Sequence, residues 1–202
     1  LPKLSAGELI GTFAHNETTS SPSIENLKCE FNNGRLNGTK IAVPDGDIAS
    51  ISIVSAKEGD KAVLCVVNLS AEGVETVNQN TLDPSRSHAS ITFKNVESEI
   101  LGKGEDGWQN LQEVLDRAAV LFAFEQLGGA EACMNMAKEY ALGRFAFGRP
   151  IASFQAIKHK IADMYIAVEL ARSNCYYGAW ALSTNASELS TAAATSRVSA
   201  SK

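Results

Sequence analysis

The hydrophobic period of this chain changes abruptly near its midpoint, and that change limits the fold more than any other feature. From about residue 10 to residue 101 the sequence runs as short apolar stretches broken by turn residues. Asn32-Asn33-Gly34 and Asp45-Gly46 tolerate positive φ, and runs such as Ala62 to Val67 lie between such turns. Ile48, Ser50, Ile51 and Ile53, and the pair Ile91 and Phe93, approximate the alternation of half-buried strands. This half predicts an antiparallel β-barrel or sandwich. The turn cluster Leu101-Gly102-Lys103-Gly104-Glu105-Asp106-Gly107 ends it. Beyond it Trp108, Leu111, Leu115, Ala118 and Phe122 step by three and four, which places them on one face of a long helix. Phe154, Ile157, Ile161, Met164, Val168, Ala171, Cys175 and Ala179 keep the same step in a second helix. Between them Gly143 to Pro150 must contain a loop, because glycine ends helices and proline disfavours helical geometry at the residue before it. The Ala-, Ser- and Thr-rich stretch from Ser183 to Lys202 predicts a third helix with a small core face. The expected class is α+β: a β-domain over 1–104, then the start of a helical bundle over 105–202, with both chain ends looking cut.

Charge and composition exclude several functions. Of 202 residues 45% are hydrophobic, enough for a proper core. The formal charge of -5 argues against a nucleic-acid binder or a polybasic membrane-surface protein, so acidic ligands must meet local basic groups. No run of about 18 apolar residues predicts a membrane span, and the start Leu1-Pro2-Lys3-Leu4 does not lead into a signal segment. The expected location is soluble and cytoplasmic. Cys29, Cys65, Cys133 and Cys175 form no C-x-x-C pair, and His15, His88 and His159 lie in unrelated segments, so neither a disulfide framework nor a protein-built metal site is expected.

One string carries a specific resemblance. Tyr140-Ala-Leu-Gly-Arg144-Phe-Ala-Phe147-Gly148-Arg-Pro150-Ile151-Ala-Ser-Phe-Gln155, followed by Ile161-Ala162-Asp163-Met164, resembles the acyl-CoA dehydrogenase family, whose pattern there is Y-A-x-x-R-x-x-F-G-x-x-I-x-x-x-Q and then L-A-D-M. Phe13-Ala14-His15-Asn16-Glu17 is similar to its F-x-x-T-E strand, Asn37-Gly38-Thr39-Lys40 to its N-G-x-K turn, and Phe93 to Val96 to its F-x-x-V strand. The resemblance covers essentially the whole chain and suggests a divergent bacterial branch. It implies a middle β-domain followed by part of a four-helix bundle, with the family's catalytic glutamate and glycine-rich FAD segment lying beyond Lys202. No catalytic residue is named here for that reason.

The implied activity is α,β-dehydrogenation of an acyl-CoA thioester with hydride transfer to FAD, as in fatty-acid β-oxidation. Amino-acid side chains do not accept hydride, so a cofactor is required. The resemblance sets Phe13, His15 and Asn16 against the flavin ring, and Val43 and Pro44 where a W-I-T/S segment packs on it, with Ala42 in place of the Trp. That substitution implies a widened pocket. Arg144 is implied to bind the FAD diphosphate of a neighbouring subunit, which suits a guanidinium's paired charge-assisted bonds. Phe147 and Gln155 are implied as further FAD contacts; the plain alternatives are a core aromatic and a first-turn helix residue. Arg117 is implied near the acyl-CoA substrate, or else forms a helix salt bridge. The family's P-x-x-G-S-D run is replaced by Thr18-Thr19-Ser20-Ser21-Pro22-Ser23, without its glycine. Met134, Met136, Met164, Trp108 and Trp180 read as packing residues. Two amphipathic helices cannot close a bundle core alone, so a homo- or hetero-oligomer is expected, by resemblance a dimer or homotetramer, with an electron-transfer flavoprotein as acceptor. The alternatives are a non-catalytic partner subunit that completes another chain's FAD site, and an acyl-CoA binder without turnover.

Overall fold

The structure, a computed structural model, describes residues 1–20, 22–102 and 107–202. Ser21, the core of the 101–107 turn cluster and the expected boundary at 104/105 lie outside the described residues. The chain divides into two compact units, Leu1–Leu111 and Gln112–Lys202.

The first unit opens with a short helix, α1 (Pro2–Ser5), followed by β1 (Gly11–Ala14), β2 (Glu30–Asn32), β3 (Arg35–Pro44), β4 (Ile51–Glu58), β5 (Lys61–Asn68), β6 (Val74–Gln79) and β7 (His88–Ile100). The sheet runs β1-β4-β2-β3-β7-β5, with β6 on β7, and the added pairing of β4 with β5 closes β4-β2-β3-β7-β5 into a ring. Closure removes the free edges of those strands. The barrel is not purely antiparallel: β1 lies parallel to β4 in the register Gly11↔Ile51 to Ala14↔Val54, and β2 meets β4 in parallel at Glu30↔Lys57. The Asn33-Gly34 turn between β2 and β3 has φ of 50° and 77°, a pair of left-handed residues that matches the twist of the flanking strands. Alternation then sorts the side chains. Phe31, Leu36, Val54, Val63, Val67, Ile91, Phe93 and Val96 fill the interior, each stabilising the fold by about 1.5–3 kcal/mol through burial.

Several sequence expectations are corrected here. Asn37-Gly38-Thr39-Lys40 is not a turn but lies within β3, where the register with β7 shifts between Leu36 and Gly38. Gly38 has φ of 138°, and a Cβ there would come within 2.7 Å of the Cys29 Cα. The strand expected over Phe13 to Asn16 ends at Ala14, so His15 and Asn16 belong to the segment leaving it. Ile48 sits in the turn before β4 and is exposed.

The helix α2 (Gly107–Gly143) leads into the second unit, which continues with β8 (Phe145–Ala146), β9 (Arg149–Pro150), a single 3-10 turn at Ile151–Ser153, α3 (Gln155–Thr184) and α4 (Leu189–Ser201). Its core is built by Ala123, Leu127 and Met134 from α2 with Val168, Ala171 and Cys175 from α3. The inward stripe of α2 is therefore Val120, Ala123 and Leu127, displaced from the expected one: Phe122 faces outward and is half exposed. Along α3 the expected stripe is buried at Val168, Ala171 and Cys175, while Met164 is exposed and Ala179 only half-buried, the buried face passing instead through Gly178 and Ala181. The third helix has the small core face its composition predicts, with Ala192, Ala193 and Ser196 buried. Gly178 permits its close approach, since a Cβ there would lie 2.3 Å from the Ser196 Oγ. That hydroxyl donates to the Asn174 or Ala192 carbonyl, each 2.8 Å away. Of the residues expected to pack, Met134 does so, whereas Met136 and half of Trp180 are exposed, the latter stacked on Tyr177 at 5.9 Å. Among the described residues no helix is long and apolar enough to cross a membrane.

Candidate functional site

In the first unit the sequence candidates converge where β1 and β3 end. Phe13 and His15, two apart on an extended segment, project to one side, and their rings stack at 5.2 Å with planes 23° apart. Burial, reinforced by the Lys40 charge, pushes the His15 imidazole below its ordinary pKa, so it is neutral at pH 7. Its Nδ1 is buried and meets no hydrogen-bond partner among the described residues. The Thr12 hydroxyl donates to the Pro44 carbonyl at 2.6 Å, tying β1 to the end of β3. Val43 points into the core, so its side chain is turned away from any surface ligand, and Pro44 is half-buried.

Beside this platform lies an open cleft of about 470 Å³ lined by Asn16, Thr18, Thr19, Ser20, Pro22, Ile41 and Ala42. Its donors are one amide and three hydroxyls. Ala42 is exposed, adopts a left-handed φ of 50° at the second irregularity of β3, and donates its N–H to the Gln79 Oε1 at 3.1 Å. With only a methyl group there, the wall on that side is low.

Behind the cleft is a polar cluster that sequence reasoning did not single out. Lys40 is 0% exposed. Its Nζ donates to the Glu17 Oε1 at 2.7 Å, the Ser55 Oγ at 3.0 Å and the His15 carbonyl at 3.4 Å. Glu17 also accepts the backbone N–H groups of Lys28 at 2.6 Å and Cys29 at 3.0 Å. Desolvation lowers the Lys40 pKa, partly offset by the nearby Cys29 thiol and by the hydrogen bond and charge of Glu17. The signal was present in β3, where Leu36 and Lys40 fall on the inward side; an inward lysine demands a buried anion.

In the second unit, Arg144, Phe147 and Gln155 gather around a small hairpin. The expected loop is a two-residue turn between β8 and β9, with Phe147 and Gly148 both at positive φ, 53° and 77°. Phe147 is 96% exposed at the tip, an unusual backbone for a bulky residue. Its ring meets Phe154 edge-on at 6.3 Å, and the Arg149 guanidinium covers the Phe154 ring at 4.1 Å. The backbone of Arg144 is fixed: its N–H donates to the Tyr140 carbonyl at 2.9 Å and its carbonyl accepts from Ile151 N–H at 2.8 Å. Its side chain is exposed and, among the described residues, has no carboxylate within ion-pair distance. Gln155 is the exposed first residue of α3.

Arg117 is not part of this group. It lies on α2, 27 residues before Arg144, which follows the helix's last residue, roughly 40 Å along the axis. Its guanidinium pairs with Glu113 at 2.7 Å, one turn away, and donates to the Asn185 Oδ1 at 3.2 Å beyond the end of α3. The helix salt bridge weighed from the sequence is what the structure shows.

Comparison with known proteins follows these features. Residues 105–202 match the acyl-CoA dehydrogenase C-terminal domain family. The chain is 36% identical over 148 residues to the acyl-CoA dehydrogenase IpdE2 of Mycobacterium tuberculosis, covering 71% of this chain and 41% of that protein. The structure of butyryl-CoA dehydrogenase from Megasphaera elsdenii superposes with a TM-score of 0.87 at 26% identity, covering 98% of this chain and 56% of the other. The ChsE4-ChsE5 complex of Mycobacterium tuberculosis gives a TM-score of 0.80 at 26% identity, covering 98% of this chain and 53% of the other. The chain spans about half or less of the length of the curated relatives it matches, from 40% to 51%. Both units are thus accounted for by one architecture, and this chain belongs to the acyl-CoA dehydrogenase family.

Proposed function

We propose that this chain is part of an FAD-dependent acyl-CoA dehydrogenase that oxidises the α,β-bond of an acyl-CoA thioester. The carrying observation is Arg144, an exposed guanidinium whose backbone is fixed by two hydrogen bonds at the mouth of a rigid hairpin. A planar fork held this way suits a diphosphate, here that of an FAD held by a neighbouring subunit. The residues fit the cofactor in kind: a stacked Phe13 and His15 pair offers a flat face, with the amide of Asn16 and the hydroxyls of Thr18, Thr19 and Ser20 lining the adjoining cleft. Bound there, FAD supplies the hydride acceptor that the polypeptide lacks. The chain's own groups bind and orient. The neutral His15 adds no positive charge beside the ring face, Asn16 can donate or accept at a heteroatom edge, and Phe147 at the hairpin tip and Gln155 at the start of α3 offer further contacts. The low Ala42 wall leaves room for a broad acyl group.

The exposed apolar side chains of α2 and α3, among them Leu121, Phe122, Tyr165, Ile166 and Leu170, support assembly into an oligomer, with an electron-transfer flavoprotein as the acceptor. The likeness to the ChsE4-ChsE5 complex favours a second reading, in which this chain completes the FAD site of a different subunit. In the longer polypeptide, Arg144→Ala is expected to lose flavin absorbance on gel filtration while the wild type keeps it; equal retention overturns the role. Bleaching of the wild-type flavin by acyl thioesters, without any second chain, separates the enzyme from the partner subunit.

A further inference from the structure

The segment 15–17, which leaves β1 and forms one wall of the cleft, is held at every residue. The His15 carbonyl accepts from the Lys40 Nζ and the Ser55 Oγ, each at 3.4 Å, and the Asn16 carbonyl accepts from the Ile41 N–H at 2.8 Å. The Glu17 carboxylate binds Lys40 and, through both oxygens, the N–H groups of Lys28 and Cys29. One buried ion pair therefore joins the start of the 15–29 segment, its end and the middle of β3. The cleft residues Thr18, Thr19, Ser20 and Pro22 lie on the loop so closed.

A salt bridge hidden from water is a poor source of stability, because desolvating both ions offsets their attraction; its value lies in fixing one geometry. Here the fixed geometry is that of a cleft wall. Lys40 itself, at 0% exposure, cannot touch a ligand. We propose that Lys40 and Glu17 are positioning residues for the flavin site: their buried pair clasps the 15–29 loop so that Asn16 and the loop hydroxyls stand ready before the cofactor arrives. This rests on the FAD reading above. Preorganisation of this kind acts on affinity, since the loop does not have to be ordered on binding.

The test uses the longer polypeptide. Glu17→Gln keeps the side chain's shape and an acceptor for one of the Lys28 and Cys29 amides but removes the charge; Lys40→Met keeps the length of the side chain; the double variant avoids leaving either charge buried alone. Each is measured for FAD affinity by flavin fluorescence, for the position of the visible flavin bands, and for folding by far-ultraviolet circular dichroism. The expected result is FAD binding at least tenfold weaker in the double variant, with shifted bands and an unchanged fold. Binding and spectra equal to wild type in a folded double variant overturn the proposal. If the variants do not fold, the wild type decides: amide exchange at Lys28, Cys29 and Ile41 should already be slow without FAD and hardly change on adding it. Exchange that is fast without FAD and slow with it overturns the preformed clasp. A wild type that never holds FAD refutes the cofactor reading instead, so the two failures are distinguishable.

Discussion

The two units differ in how they treat large apolar side chains. In the β unit those of the barrel interior are inside: Phe93 is 2% exposed, and Leu36, Ile91 and Val96 are fully buried, while exposed ones such as Ile48 and Leu82 lie in connections. In the helical unit the core combines Leu127, Met134 and Val168 with the smaller Ala123, Ala171 and Cys175, while Leu121, Phe122, Tyr165, Ile166 and Leu170 on the long helices face outward. A closed ring of strands satisfies its own backbone and completes its own interior. Two long helices and a short one bury a single seam and leave their other faces for further protein surface. Stability should therefore reside in the first unit and assembly in the second.

The largest test of that contrast is Phe93→Ala, expected to cost about 3–5 kcal/mol in chemical denaturation because it empties a closed core. A loss below about 1 kcal/mol would mean that the barrel is looser than described. Gly178→Leu should cost about 1–3 kcal/mol by forcing α3 and α4 apart against the Ser196 hydroxyl, measured in the same way. Phe122→Ala should change unfolding by about 0.5 kcal/mol or less, yet reduce self-association by light scattering; the reverse pattern would erase the distinction. The smallest effect concerns the thiols. Burial pushes Cys29 up to about 11 and Cys65 up to about 12, so both stay protonated as pH rises from 7 to 9. In the native protein an alkylating reagent should then modify the exposed Cys133 while Cys29 and Cys65 remain unlabelled across that range, as mass spectrometry of the peptides would show.

Much of this organisation is legible in the sequence, and the gaps have physical causes. The switch of period located the strands and helices, and the Gly-Arg-Phe-Ala-Phe-Gly-Arg-Pro string located the hairpin. The helix face of α2 was misplaced because Phe122 is apolar, and periodicity does not distinguish a side chain facing its own core from one facing another surface. The turn expected at Asn37-Gly38-Thr39-Lys40 came from the family resemblance, whereas pairing with β7 keeps the segment in a strand and makes the glycine a point of close contact with Cys29. Arg117 was legible as a charge with two readings, and the structure shows its ion pair with Glu113, one turn away. The Lys40 and Glu17 pair escaped notice because its members are 23 residues apart and joined only by the barrel.

The left-handed backbone at Ala42 bears on how this protein could change over time. A mutation to tryptophan at that codon would introduce an indole on a conformation that bulky residues adopt at a penalty of about 1–2 kcal/mol. It would also leave the main chain bound to Gln79. A large side chain at position 42 would therefore carry a backbone cost that the methyl group carries less of, and shifting the register of β3 against β7 would be one way to relieve it.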